Sequence, residues 1–114
     1  MGRLNSNLLR GTLELLVLRA LVSEAKHGYG ILEWIERAVS PALLVEEGTL
    51  YPALHRLEDE GYMRAEWGPS ENNRKAKYYT LTRKGRSRVV AESSAFEAYA
   101  ERVLRALRGG AVSS

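Results

Sequence analysis

The sequence contains no cysteine and only two histidines, His27 and His55. A chain without cysteine forms neither a disulfide nor a thiolate metal site. Two histidines do not complete a metal site by themselves, and the pattern places no carboxylate beside them. A glycine-rich phosphate loop and a nucleophile elbow are also missing. These absences argue against an enzyme, and we expect no metal and no cofactor.

Long hydrophobic runs are missing as well. The most apolar segment, near the N-terminus, is interrupted by Glu14 and Arg19 and is too short to cross a bilayer. The first residues do not combine the basic region, apolar run and cleavage site of a signal peptide. The length of 114 residues is that of a single small domain. We therefore expect a soluble cytoplasmic protein with no membrane partner.

The segment GTLYPALHRLEDEG carries the strongest pattern in the chain. Leu50, Leu54 and Leu57 recur at i, i+4 and i+7, which places them on one face of a helix. Pro52 is expected in the first turn, where a proline is tolerated, and Gly61 is placed to end the helix as a left-handed cap. The other faces carry side chains that can point outward: Tyr51, Pro52, His55 and Arg56. A short helix of this kind is shaped to enter a groove of DNA.

Alternation and turn residues after this segment predict a β-hairpin. Met63, Ala65 and Trp67 share one side of a strand. Gly68–Lys75 is polar and rich in turn-forming residues, so we expect a loop there. Lys77–Leu81 is rich in β-forming residues and predicts the second strand. A helix followed by a strand, a basic loop and a strand is the order of a winged helix, with the loop as the wing.

Positive charge is concentrated in the same region. The whole chain carries a net charge of only +3. Residues 64–88 hold eight Lys and Arg against two Glu, a local net charge of +6. Such a cluster beside a candidate recognition helix is the expected footprint of a phosphate-binding face. Two alternatives stay open: the charges merely keep the hairpin soluble, or the winged helix is a protein-interaction module without specific DNA binding.

A first helix is predicted from Leu8 to Ser23, with Asn5, Ser6 or Asn7 as its cap. Its apolar residues occupy nearly the full circumference, which is typical of a helix that is covered on all sides. A small domain covers about one side of such a helix. We therefore expect the other side to contact a partner, most simply a second copy of the chain.

A second helix is predicted from Tyr29 to Val39 and ends before Pro41. Its expected inner stripe consists of Ile31, Ile35, Ala38 and Val39. Tyr29, Gly28 and Gly30 are expected to set the turn into this helix rather than to bind a ligand. Leu43–Val45 could add a short third strand to the wing sheet.

The last helix is predicted to run from Arg83 to Arg108, with Thr82 as its N-cap. Its apolar stripe repeats every seven residues: Val89, Phe96 and Val103. Because this helix extends beyond the winged-helix core, the stripe favours a dimerisation arm, and packing against the chain's own first helix is the alternative. The chain is thus divided into an N-terminal DNA-binding domain at 1–82 and a C-terminal dimerisation helix with a short tail at 83–114.

Several blocks of the sequence resemble one known family. Blocks similar to the signatures of PadR-type transcriptional regulators lie at Leu9–Leu13, His27–Ile31, Gly48–Leu57, Tyr78–Thr82 and Gly85. The resemblance extends over roughly residues 8–108, and the Leu-Tyr-Pro-Ala-Leu block is its most specific part.

This resemblance implies a homodimeric repressor that binds double-stranded DNA at a palindromic operator. The third helix would enter the major groove, and the wing would lie near the minor groove. The single short C-terminal helix resembles the smaller of the family's two size classes. Such proteins commonly repress genes for detoxification, efflux or stress, often under a small-molecule effector. The expected fold class is mainly α with a small β-hairpin: a winged helix-turn-helix plus a long C-terminal dimerisation helix.

The pattern and the resemblance together give candidate DNA-binding residues: Thr49, Tyr51, Pro52, His55, Arg56, Arg74, Lys75 and Lys77. Tyr51 resembles the family's recognition-helix tyrosine, whose hydroxyl can donate to a phosphate. Arg56 could contact guanine with both nitrogens, hold a phosphate, or pair with Glu60 at i+4. The wing cations are expected to give non-specific affinity rather than base readout.

Two further sets of candidates concern assembly and ligands. The candidate dimerisation residues are Leu8, Leu15, Val89, Phe96, Tyr99, Val103 and Leu107. The candidate effector pocket consists of Trp34, Phe96 and Tyr99, for an aromatic or amphipathic small molecule bound between protomers. The alternative is that these aromatic residues only fill the core and the interface.

Overall fold

The computed structural model of the chain describes residues 6–39 and 47–109. Its elements are α1 (Ser6–Ala20), β1 (Lys26–His27), α2 (Gly28–Val39), α3 (Glu47–Asp59), β2 (Met63–Pro69), β3 (Lys75–Leu81) and α4 (Arg83–Leu107). This mostly helical arrangement, with a small antiparallel sheet and a long last helix, confirms the predicted fold class. The candidate cap Asn5 and the candidate strand Leu43–Val45 lie outside the described residues. None of the described helices combines the length and the apolar character needed to cross a membrane.

The wing sheet has a third strand, β1, which no pattern in the sequence predicted. The strand order is β1-β3-β2, and both pairings are antiparallel. In β1, Lys26 lies opposite Tyr79 and His27 lies opposite Tyr78. Two residues are too few to show an alternating pattern, so this strand has no periodic signal in the sequence.

The α1 helix starts and ends earlier than predicted. It begins at Ser6, so the candidate caps Ser6 and Asn7 are already helical, and it ends at Ala20 rather than Ser23. The N–H groups of Leu21 and Val22 donate to carbonyls three residues back, which tightens and closes the last turn. Among the α1 residues whose side chains are described, 12–20, Leu13, Val17, Leu18 and Ala20 are buried, whereas Leu15 and Leu16 are half-buried. Over these residues the chain covers one side of α1 more completely than the other.

The core forms where α1, α2 and α3 meet beneath the sheet. The predicted inner face of α3 is confirmed, because Leu50, Leu54 and Leu57 are at most 1% exposed. In α2, Leu32 is buried, while Ala38, predicted to face inward, is exposed. The buried stripe of α2 is Gly28, Ile31, Leu32 and Ile35, the i, i+3, i+4, i+7 spacing of a helix that packs on one side.

Pro52 lies deeper in α3 than predicted. The helix begins at Glu47, so Pro52 stands in its second turn and the expectation of a first-turn proline is wrong. Proline has no N–H, so the carbonyl of Gly48 receives no helical hydrogen bond from this position.

The junction between α3 and α4 is built on two predicted features. Gly61 has φ +83°, the left-handed conformation that ends a helix at glycine. Thr82 caps α4: its hydroxyl oxygen accepts from the N–H of Gly85 at 3.1 Å, and the hydroxyl donates to the Gly61 carbonyl at 2.7 Å. The Thr82 N–H donates to the Tyr62 carbonyl at 3.2 Å. A Cβ at Gly85 would overlap that same Tyr62 carbonyl, so α4 docks here through a glycine.

Beyond its first turns, α4 leaves the core. Val89, a predicted dimerisation residue, is instead 7% exposed and belongs to the core of its own chain. This follows because the start of α4 packs against α1. The large apolar residues farther along α4 are exposed: Phe96, Tyr99, Val103, Leu104 and Leu107.

Candidate nucleic-acid interface

Helix α3 and the β2–β3 hairpin enclose a cleft of about 990 Å³, which we call the helix–wing cleft. Its floor and walls are formed by His27, Gly28, Tyr29 and Glu33 near the start of α2, Tyr51 and His55 on α3, Trp67 on β2, and Ser70, Glu71, Asn72, Arg74, Lys75, Ala76, Lys77 and Tyr79 on the wing. Both predicted groups, the helix residues and the wing cations, therefore meet in one concave surface.

Tyr51 is seated on a glycine. A Cβ added at Gly28 would lie 2.8 Å from the Cε1 atom and 2.8 Å from the hydroxyl oxygen of Tyr51. The backbone of Gly28 is fixed by the first turn of α2, where the N–H of Gly30 donates to the Nδ1 atom of His27 at 3.0 Å. Gly28 thus does more than set the predicted turn, because its missing side chain leaves the space that the Tyr51 ring occupies. At Gly30 a Cβ would find ordinary contacts of 3.5 Å with the His27 ring.

The wing is longer and its loop shorter than predicted. Strand β2 extends to Pro69 and β3 begins at Lys75, so the loop spans only Ser70–Arg74. The Ser70 N–H donates to the Arg74 carbonyl at 2.8 Å, and this bond closes the loop. Of the three predicted wing cations, only Arg74 is in the loop, because the hydrogen-bonded ladder includes both Lys75 and Lys77.

Lys77 ties the root of the wing to α3. Its Nζ atom lies 3.2 Å from Oε1 of Glu58 and 5.7 Å from the centroid of the Tyr79 ring. The hydrogen bond to Glu58 raises the pKa of Lys77 above its usual value. Burial raises the pKa of Tyr79 in the same corner. Lys77 therefore stays charged at neutral pH, but its charge is already matched by a carboxylate on the helix.

Arg56 lies on the flank of α3 that faces α1, outside the helix–wing cleft. Its Nε atom donates to Oε2 of Glu14 at 3.1 Å, so its partner is Glu14 and not Glu60, the partner that the i+4 spacing suggested. The other oxygen of Glu14 accepts from Arg88 on α4 at 3.0 Å, and Arg88 also donates to Glu92 at 2.8 Å. One carboxylate thus joins α1, α3 and α4. Because Glu14 and Arg56 are 42 positions apart, no local pattern reveals the pair.

The basic cluster at residues 64–88 is not one continuous face. Lys84 donates to the Glu60 carbonyl at 2.6 Å and Arg86 to the Val22 carbonyl at 3.4 Å, so these α4 cations hold the helix to the body. The cations that line the helix–wing cleft are Arg74, Lys75 and Lys77. The phosphate-binding face predicted from residues 64–88 was therefore too broad, since Lys84 and Arg86 bond to carbonyls of their own chain.

The remaining candidate residues are dispersed. Thr49 and Pro52 are exposed on α3, Leu15 is half-buried on α1, and the side chain of Leu8 lies outside the described residues. Trp34 lines a smaller cleft of about 420 Å³, of which neither Phe96 nor Tyr99 forms part. Within one chain, the three residues of the candidate effector pocket are therefore not brought together.

Comparison with solved structures places this geometry among known regulators. A transcriptional regulator from Clostridium thermocellum is 25% identical with a TM-score of 0.78, and the match covers 90% of this chain and 96% of that one. A PadR-like transcriptional regulator from Bacillus cereus is 26% identical with a TM-score of 0.78, covering 89% and 96%.

Sequence comparison agrees with the structural one. An uncharacterised protein of Lysinibacillus sphaericus is 30% identical over 82 residues, which are 72% of this chain and 75% of that protein. The model of the transcriptional regulator PadR-like family matches residues 17–91, from α1 into α4. Members of such a family are regulators rather than enzymes. The chain therefore belongs to the PadR-like family of transcriptional regulators, proteins that bind DNA with a winged helix.

Proposed function

We propose that the protein is a homodimeric repressor that binds a palindromic operator through α3 and the wing. The observation that carries this proposal is the helix–wing cleft, in which Tyr51 and His55 on a rigid helix face Arg74 and Lys75 on the wing. A rigid helix gives its side chains the fixed direction that base readout requires. Wing cations supply sequence-independent attraction to phosphate. A repressor of this kind works where the chromosome is, in the cytoplasm.

The residues of α3 divide by the direction in which they point. Thr49, Tyr51, Pro52 and His55 are exposed on the helix, and we assign them to contacts in the major groove. The packing of the Tyr51 ring on Gly28 fixes the direction of its hydroxyl, which can donate a hydrogen bond to DNA. The leucines on the inner face fix the helix against the core, which supports a precise orientation of these side chains.

Arg56 and Lys77 receive a different assignment because each is held by a carboxylate. Arg56 pairs with Glu14 and Lys77 with Glu58, at 3.1 Å and 3.2 Å. Each cation offers a phosphate only the N–H donors that its carboxylate partner leaves free. We therefore assign both to secondary phosphate contacts and not to base readout.

The homodimer rests on the exposed part of α4. Phe96, Val103 and Leu107 fall on one stripe of the helix, and Leu107 is 78% exposed. An apolar stripe along a helix that projects from a small domain is the usual surface for association with a second copy. A two-fold dimer would present two α3 helices to half-sites about one helical turn of DNA apart. The N-terminal residues 1–82 would then bind DNA, and residues 83–114 would dimerise.

An effector site is proposed only for the assembled dimer. Phe96 and Tyr99 lie exposed on α4 and would line the space between protomers, while Trp34 stays in its own cleft on each chain. An aromatic or amphipathic molecule suits such a surface. Its binding would release the operator by changing the spacing of the two α3 helices.

A gel-shift assay with the protein's own upstream DNA tests this function. We expect a shifted band whose stoichiometry is two chains per operator. Arg74→Gln should weaken binding, whereas Arg19→Gln, which removes an exposed arginine from α1, should not. Absence of any shift at low salt, with the dimer intact, would favour the alternative of a winged helix that binds only protein.

A further inference from the structure

Trp67 is the most conspicuous side chain of the wing that the assignments above leave without a role. It is 68% exposed, although tryptophan is among the residues that are most buried on average. No described residue forms a ring stack or a cation–π contact with it. A large apolar side chain left in water in this way needs an explanation at a functional surface.

The register of the sheet shows which way Trp67 points. Successive side chains of a strand alternate between the two faces, so Trp67 shares a face with Met63 and Ala65. Along this face burial falls steadily: Met63 is buried, Ala65 is half-buried and Trp67 is exposed. This face of β2 packs on the core at Met63 and becomes exposed toward the tip of the wing. The indole of Trp67 lies on the exposed part of the face.

Cations flank the indole on the same face. Trp67 lies directly opposite Lys77 and Pro69 directly opposite Lys75, and residues opposite each other on antiparallel strands share one face. Tyr51 and Tyr29, both exposed, line the same cleft as Trp67. The wing wall of the helix–wing cleft thus presents an aromatic plane between basic side chains.

We infer that Trp67 is a further DNA-contacting residue, whose indole packs against the sugar–phosphate edge of the bound duplex. Its position suits this occupant, since the exposed neighbouring cation Lys75 matches a phosphate and the indole plane matches an apolar deoxyribose. The indole N–H is a hydrogen-bond donor and can reach a phosphate oxygen. This inference rests on the proposed function and adds to it a contact that does not depend on charge.

Because Trp67 is uncharged, its substitution should affect the salt dependence of DNA binding differently from the substitution of a wing cation. Losing a cation reduces the salt dependence of binding, because one fewer counterion is released. Losing the indole removes apolar contact and releases no counterion. Trp67→Ala should therefore lower affinity roughly tenfold at every salt concentration, by analogy with aromatic stacking platforms, with an unchanged salt slope. Trp67→Phe should recover most of that affinity, and Arg74→Gln should reduce the slope by about one unit.

Fluorescence reports the contact directly because the chain has only two tryptophans. Trp34→Phe leaves Trp67 as the single indole, and Trp67→Phe leaves Trp34, which lines the smaller cleft and not the helix–wing cleft, as the control. Binding is followed independently through the anisotropy of a labelled upstream duplex. On saturation we expect Trp67 emission to change and its quenching by acrylamide to fall, while Trp34 stays unaffected. If Trp34→Phe does not fold, the difference between wild type and Trp67→Phe isolates the same signal.

The possible outcomes distinguish a failure of the Trp67 contact from a failure of the proposed DNA-binding function. If the duplex binds but Trp67 keeps its quenching and Trp67→Ala binds within about twofold of wild type, the inference is overturned and the proposed function stands. If Trp67 becomes protected with rising protein concentration in the absence of DNA, the indole belongs to a protein interface and the inference is also overturned. Failure of the wild type to bind the duplex at low salt would remove the proposed function itself.

Discussion

Gly85→Ala is a sharp test of how α4 docks on the winged helix. Gly85 stands in the first turn of α4, and helix propensity alone predicts that alanine stabilises a helical position by about 1 kcal/mol. The structure predicts the opposite sign. A Cβ here would overlap the backbone carbonyl of Tyr62 and would lie 3.0 Å from Cδ2 of Leu81.

The carbonyl of Tyr62 has little freedom to move, because it accepts the N–H of Thr82 at 3.2 Å. Relieving the overlap must shift α4 away from the α3–β2 junction or break this bond. Overpacking of this kind costs about 1–3 kcal/mol, and a lost hydrogen bond adds about 1 kcal/mol. After the gain in propensity, we expect a net destabilisation of about 1–3 kcal/mol.

Gly48→Ala is the matched control. Gly48 also lies in the first turn of a helix, and a Cβ there would meet nothing within 4 Å. This substitution should leave stability unchanged or raise it by up to about 1 kcal/mol. Urea unfolding of both variants at one protein concentration measures the difference, since dimerisation makes stability depend on concentration. Equal midpoints for wild type and Gly85→Ala would refute the docking argument.

Three further predictions concern the cleft and α4. Gly28→Ala should weaken operator binding as much as Tyr51→Ala does, because its Cβ displaces the Tyr51 ring, while Gly30→Ala should bind normally; anisotropy titration distinguishes them. Glu58→Gln should free Lys77 for phosphate, raising affinity for scrambled DNA and steepening the salt slope by about one unit, whereas Glu97→Gln, an equal charge change on α4, should do neither. The double variant Val103→Glu, Leu107→Glu should sediment as a monomer. Retention of a stable dimer would place the interface elsewhere. Arg102→Glu, at an exposed position, controls for the added charge.

Local patterns in the sequence predicted much of this fold. The leucine spacing of α3, the left-handed Gly61 and the Thr82 cap each depend on residues within a few positions of one another, and the structure confirms all three. The alternation from Met63 to Trp67 also predicted the correct faces of β2. Local chemistry is sufficient wherever the partners of a residue are its neighbours in sequence.

Sequence patterns did not predict the features that depend on partners far apart in the chain. Strand β1 forms only because β3 lies beside it, and a two-residue segment has no pattern of its own. The pairing of Arg56 with Glu14 and the seat of Tyr51 on Gly28 join separate elements. Val89 fits a seven-residue repeat in the sequence but belongs to the buried core of its own chain in the fold. A single sequence gives the face of a helix on which a residue lies, but not the element that comes to cover that face.

The central claim is that side chains of α3 in the helix–wing cleft read the operator. Its most direct test is the ratio of affinities for the upstream duplex and a scrambled duplex, measured at several salt concentrations for wild type and for Tyr51→Ala combined with His55→Ala. We predict a wild-type ratio of about 10³ or more, and a double variant that keeps its salt-dependent binding but loses most of the ratio. An undiminished ratio in the double variant, or a wild-type ratio near one, would contradict the account.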